Sequence, residues 1–195
     1  KKPIPFSSRL DLDVNEIFSS ITEKTRLVVI ANPNNPTGTF IDSSAISFIS
    51  KLCVETGALF ILDEAYFPYC VHANGLEMLS EHENLAITRT FSKAWGLAGI
   101  RAGYMVSSST IIELLQKIKP SYELTQHSIN TVIKALDYPQ LVDLNVSQVN
   151  KWKCRFRNIE RDGMEYLESH GNFILFRISE SLHRTLLNEF DKRNI

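Results

Sequence analysis

The feature that most constrains this chain is a rhythm of short, unbroken apolar runs, each stopped by a polar cluster. RLVVIA (26–31) runs into NPNNPTG, ALFIL (58–62) into Asp63-Glu64, and residues 85–88 into RTFSK, while residues 103–107 give a fourth run. Runs this short read as strands, and a strand with one wet face would alternate apolar and polar residues. Unbroken runs fit a mostly parallel sheet covered by helices on both faces. The intervening segments carry the helical period. Ala45, Phe48, Ile49 and Leu52 recur at i, i+3, i+4 and i+7, with Asp42 and two serines as caps and Gly57 as the stop. Ile111, Leu114, Leu115 and Ile118 mark a further helix that Pro120 ends. In open α/β sheets, ligands sit beyond the carboxyl ends of the strands. Residues 32–38, 63–66 and 90–93 each follow an apolar run, so the pattern predicts that they meet in one crevice.

Beyond Gln126 the pattern changes. Residues 129–136 read as a helix, 141 to about 167 as a long charged helix, 172–178 as a strand and 181–192 as an amphipathic helix. The expectation is an α/β domain over 1–145, then a linker helix and the start of a smaller α+β C-terminal domain over 146–195, left unfinished. Composition narrows the function. The 195 residues carry 21 Lys+Arg against 22 Asp+Glu, a net charge of −1 that offers no basic surplus for nucleic acid. No apolar run approaches the roughly 18–20 residues of a membrane span. Cys53, Cys70 and Cys154 form neither a zinc pattern nor a disulfide framework, which fits a reducing cytoplasm and buried thiols.

Several residues carry chemistry on two readings. Lys93, among small and apolar neighbours, is either a solvated lysine at a helix start or a desolvated amine able to form a Schiff base. Asp63-Glu64 resembles a metal-holding acid pair after a strand, but no G-x-x-x-x-G-K-[ST] loop accompanies it. A single carboxylate held against a protonated pyridine nitrogen is the other use, with the Tyr66 hydroxyl reaching a neighbouring oxygen. NPNNPTG is either turn chemistry or a turn that also presents a side-chain amide to a ligand. The five histidines share no spacing, and no metal site is read.

Taken together, NPNNPTG (32–38), DEAY (63–66) and TFSKAWGLAGIRAGY (90–104), in that order, resemble the fold-type-I pyridoxal-phosphate aminotransferases of class I/II, in particular the histidinol-phosphate aminotransferase branch. The resemblance extends over most of the chain and implies a cofactor, pyridoxal 5'-phosphate. It implies that Lys93 forms the internal aldimine and shuttles the proton between substrate and cofactor. Asp63 would hold the pyridinium N–H, which keeps the ring an electron sink. Asn35 and Tyr66 would donate to the ring's phenolic oxygen. Thr90, Ser92 and Arg101 would bind the phosphate, with Gly99 and Gly103 giving backbone freedom around Arg101. KIKPSY (117–122) resembles the branch's K-I-K-P-P-Y, departing at Ser121, and NFILFR (172–177) its N-F-[IL]-L-x-R strand. Tyr122 is then either a substrate neighbour or a packed aromatic, and Arg177 a structural ion-pair residue.

The implied reaction is transfer of an amino group between L-glutamate and a keto substrate, imidazole-acetol phosphate, in histidine biosynthesis. The implied assembly is a homodimer, with no nucleic-acid or membrane partner. The implied coverage is roughly the middle half of such a protein, consistent with the unfinished second domain. A decarboxylase of the threonine-phosphate type and a non-catalytic truncated remnant are the alternatives.

Overall fold

The computed structural model describes residues 2–7, 10–159 and 161–194. Four strands form one sheet in sequential order: β1 (Leu27–Ala31), β2 (Leu59–Asp63), β3 (Leu85–Thr90) and β4 (Gly103–Ser107). The first three are parallel, and β4 returns antiparallel to β3. Register aligns Ala31 with Asp63 and Asp63 with Thr88, so the polar clusters after β1, β2 and β3 leave the sheet at one end. Because β4 is reversed, its first residue, Gly103, pairs with Thr90 at that same end. Three parallel strands and one reversed strand make the mostly parallel sheet that was expected, and the reversal brings Arg101 to the crevice.

Alternate residues of a strand point to opposite faces. Phe60, Leu62, Leu85 and Ile87 are fully buried and pack with α1 (Val14–Ser20) and α2 (Ser43–Thr56). On the other face Leu27 and Val29 of the edge strand β1 are exposed. The α2 helix begins where predicted: the Asp42 carboxylate accepts the Ala45 N–H, a cap worth about 1 kcal/mol. It ends at Gly57, whose φ of +69° suits glycine. Its buried face is Ile46, Ile49, Ser50 and Cys53, rotated one position from the predicted stripe. Phe48 lies exposed and tilts against Phe18 of α1, ring centroids 4.3 Å apart.

Downstream, α3 (Ser109–Gln116), α4 (Gln126–Leu136) and α5 (Gln140–Arg157) follow. The long helix expected to about residue 167 stops at Arg157. Met164–Leu167 is instead a strand, β5, pairing antiparallel with β6 (Leu175–Ile178) in a separate two-stranded sheet. Asp162-Gly163 turns the chain, with Gly163 at φ +77°. The last helix, α6 (Glu180–Arg193), is capped by Ser179. Cys53 and Cys70 are buried as expected, whereas Cys154 is exposed on α5. No helix among the described residues is long and apolar enough to cross a membrane.

Candidate active site

The turn after β1 assigns its three asparagines different work. Asn32 is fully buried and clamps the loop shut: its amide donates to Ile41 O at 3.1 Å and its Oδ1 accepts the Ile41 N–H at 2.8 Å. Asn34 donates to the Thr37 hydroxyl at 3.0 Å. Asn35 is left to point outward, and its Nδ2 donates to the Tyr66 hydroxyl at 2.6 Å. The turn reading of this segment is thus met by Asn32 and Asn34, while the Asn35 amide is set toward Tyr66 rather than into the turn.

Asp63 closes β2. Its Oδ1 accepts the Thr88 hydroxyl at 3.2 Å and the Ala65 N–H at 3.1 Å, so β3 and the backbone just after β2 fix the carboxylate. Tyr66 is buried, and its ring lies between two partners: the Lys93 ammonium 5.2 Å from the centroid and the Phe173 edge at 5.3 Å. Lys93 follows β3 in a tight turn closed by Gly96 N–H to Lys93 O at 3.0 Å. That turn is not the helix start of the alternative reading. Lys93 is half-buried, and among the described residues it forms no ion pair. Asn145 of α5 donates to Ala94 O at 2.9 Å, and Ser128 of α4 donates to Ile100 O at 2.9 Å. Both hold the loop that carries Lys93, and neither was singled out from the sequence.

Thr90 and Ser92 share the sheet end: the Thr90 hydroxyl donates to Ala102 O at 3.3 Å and accepts the Ser92 N–H at 3.1 Å. Arg101 stands next to them in the left-handed region, φ +57°, but its exposed guanidinium donates back to Ala98 O at 3.0 Å. The structure therefore groups Asn35 with Tyr66 and Lys93, and Thr90 with Ser92, while the Arg101 side chain contacts neither hydroxyl. Gly103 is required by close approach, since a Cβ there would lie 2.8 Å from Arg89 O; at Gly99 the space is open. Trp95 packs on Phe91 and lines an apolar cavity of about 420 Å³ with Tyr104 and Ile129. Tyr122 is 95% exposed and contributes nothing to this crevice. Arg177 pairs with Glu165 at 2.8 Å, the structural role expected of it.

The acid pair after β2 divides across the sheet. Glu64 is buried on the opposite face from Asp63, accepting the Gly75 N–H and the Arg89 guanidinium, with Nε–Oε2 at 2.8 Å. Arg89 also donates to Asn74 and lies 3.9 Å over the Phe67 ring. Burial pushes the Glu64 carboxyl up, with the Gly75 N–H and Arg89 pulling the other way. The two acids therefore cannot share one metal, and no metal-holding cluster exists among the described residues. The strand period alone separates 63 from 64, which was the available signal.

A crevice at the carboxyl ends of parallel strands, with an unpaired lysine over an amide–tyrosine pair, fits an aldehyde-bearing, phosphorylated cofactor. The donor types match: an amine for an aldehyde, hydroxyls for a phosphate, a carboxylate for a ring N–H. Residues 2–191 match the family model for aminotransferases of class I and II, and the chain belongs to that family. Within it, the chain is similar to histidinol-phosphate aminotransferase 1 of Idiomarina loihiensis, 37% identical over 188 residues, covering 91% of this chain and 50% of the relative. Histidinol-phosphate aminotransferase 2 of Hydrogenovibrio crunogenus is likewise 37% identical, with 91% and 49% covered. Among solved structures it resembles the histidinol-phosphate aminotransferase of Sinorhizobium meliloti in complex with pyridoxal-5'-phosphate. The TM-score is 0.86 at 26% identity, covering 97% of this chain and 52% of that one. The chain spans about half the length of the curated relatives it matches.

Proposed function

We propose that this chain supplies the cofactor-binding centre of a pyridoxal-phosphate-dependent transaminase acting on histidinol phosphate and its keto counterpart, imidazole-acetol phosphate, with L-glutamate as amino donor. The observation that carries the reading is the Lys93 ammonium over the ring of Tyr66, whose hydroxyl is held by Asn35, at the sheet end where Asp63 is fixed. The names of the relatives support the substrate. They do not favour the decarboxylase alternative.

When bound, pyridoxal phosphate supplies an electron sink for the pair left at the substrate Cα. In this reading Lys93 would hold the cofactor through its aldehyde carbon, and its amine would be the group that moves the proton at the substrate Cα. Asp63 would accept from the ring N–H and keep that nitrogen cationic, and its bond from Thr88 holds the carboxylate in place for this. Asn35 and Tyr66 donate toward the ring oxygen, and their mutual hydrogen bond pre-sets the two donors. Thr90 and Ser92 would offer hydroxyls to the phosphate, and the Arg101 guanidinium would add charge. Among the described residues Lys93 has no carboxylate partner, so no ion pair there must break before it reacts.

A homodimer belongs to this reading. It is supported by the apolar cavity beside β4, where Ile133 and Leu136 lie exposed near Tyr104. Three cysteines held outside any disulfide among the described residues support a cytoplasmic location. The test is product analysis with pyridoxal phosphate, L-glutamate and imidazole-acetol phosphate. Release of 2-oxoglutarate with histidinol phosphate is expected. Release of CO₂ from threonine phosphate instead would replace the reading with the decarboxylase.

A further inference from the structure

The two donors Asn35 and Tyr66 are gripped from outside the four-stranded sheet by one short stretch, residues 169–173. At one end, the His170 N–H donates to Gly38 O at 2.7 Å, and the Gly38 N–H in turn donates to Asn34 O at 2.8 Å, closing the turn that carries Asn35. The approach is tight. Gly38 has φ +74°, and a Cβ there would fall 2.4 Å from the Ser169 hydroxyl, so only glycine allows the contact. At the other end, Phe173 sets its edge on the Tyr66 ring at 87°. Ser169 is itself 1% exposed, and its hydroxyl accepts the Gly171 N–H at 3.2 Å.

This stretch has no regular secondary structure to hold it. Its carbonyls are held from α5: the Lys153 ammonium donates to Ser169 O, and to Gly171 O at 3.3 Å. Among the described residues Lys153 forms no ion pair, since the neighbouring Glu168 is paired with Arg157. Burial pulls the Lys153 ammonium below the ordinary lysine range, with Glu168 opposing the shift and Arg157 adding to it. A half-buried ammonium with no carboxylate in direct contact among the described residues is costly for stability alone. What the lysine provides is a fixed position for two carbonyls.

We propose that Lys153 is a positioning residue for the cofactor site, holding residues 169–173 against the Asn35 turn and the Tyr66 ring. The inference rests on the reading of Asn35 and Tyr66 as donors to the cofactor. Its distinguishing mark is that the effect of Lys153 is local to the crevice and does not reach the sheet.

Lys153→Met keeps the apolar stem and removes the donors; Lys153→Arg restores them. Amide hydrogen exchange on the cofactor-free chain is the first readout. Lys153→Met is expected to speed exchange roughly tenfold at His170 and Gly38, the scale of one or two lost net hydrogen bonds, with the amides of β2 and β3 unchanged. Lys153→Arg is expected to recover most of the protection. The second readout is pyridoxal phosphate affinity and the pH dependence of its absorbance, both shifted in Lys153→Met. Uniformly faster exchange across the sheet, or no change at His170 and Gly38, would overturn the proposal. Should Lys153→Met not fold, Phe173→Leu tests the other end: a roughly threefold weaker cofactor affinity is expected, as for loss of an aromatic pair, and an unchanged affinity and spectrum contradict it. A wild-type chain that takes no cofactor would defeat the underlying reading, while the exchange result still decides the clamp.

Discussion

The two sheets of this molecule are built to different standards. The four-stranded sheet buries Phe60, Leu62, Leu85 and Ile87 completely, and the Glu64–Arg89 ion pair is largely buried with them. The two-stranded sheet of β5 and β6 leaves its residues half-buried or exposed, and its ion pair, Arg177–Glu165, stands in water at 46% and 58% side-chain exposure. The difference teaches where precision is needed. The strand ends that carry Asp63, Thr90 and Lys93 grow from the rigid sheet, while the outer unit contributes one stretch that leans on the crevice.

The contrast is open to direct attack. Phe60→Ala opens a cavity in the closed core and is expected to cost about 3–5 kcal/mol. Phe176→Ala in β6 is expected to cost less than half as much, both read from urea midpoints; equal losses would erase the distinction. Next come the ion pairs. Glu64→Gln strands a buried guanidinium and is expected to cost about 3 kcal/mol, whereas Glu165→Gln in the exposed pair is expected to cost at most about 1 kcal/mol. Helix caps follow: Asp42→Ala should lose about 1 kcal/mol, and Ser179→Ala, whose contact to the Leu182 N–H is 3.3 Å, somewhat less.

The pH response is silent near neutrality, and its sign separates the two regions. Burial lowers the His170 pKa from 6.5, so the unfolded chain takes up the proton first. Stability from this group is complete above pH 6.5 and declines as pH falls below it. Burial raises the Cys53 thiol from 9.0 to about 11, so the unfolded chain loses its proton first. Stability then declines as pH rises from 9 toward 11. Denaturant titrations across pH should show the acid limb flattened in His170→Gln and the alkaline limb flattened in Cys53→Ala.

Much of the frame was legible because its signals are local. Apolar runs gave all four strands of the main sheet, and Asp42 and Gly57 bounded α2 as cap residues do. The buried face of α2 was misplaced because Ser50 and Cys53 are small and do not announce themselves as core, while Phe48 is large and lies outside against Phe18. The strand β5 was hidden because MEYL continues a helical pattern; Asp162-Gly163 was the break. At the crevice, the types of Asn35, Tyr66 and Lys93 pointed to their contact, but only because three motifs occurred together. The supports at Ser128, Asn145 and Lys153 were unreadable, since each acts by reaching a carbonyl far along the chain.

The most direct test of the centre is borohydride reduction of the chain mixed with pyridoxal phosphate, followed by peptide mass mapping. The account predicts a single reduced pyridoxyl group on Lys93, lost in Lys93→Ala and retained in a Lys119→Ala control. Labelling spread over the exposed lysines, with Lys93 unmodified in a folded sample, would contradict it.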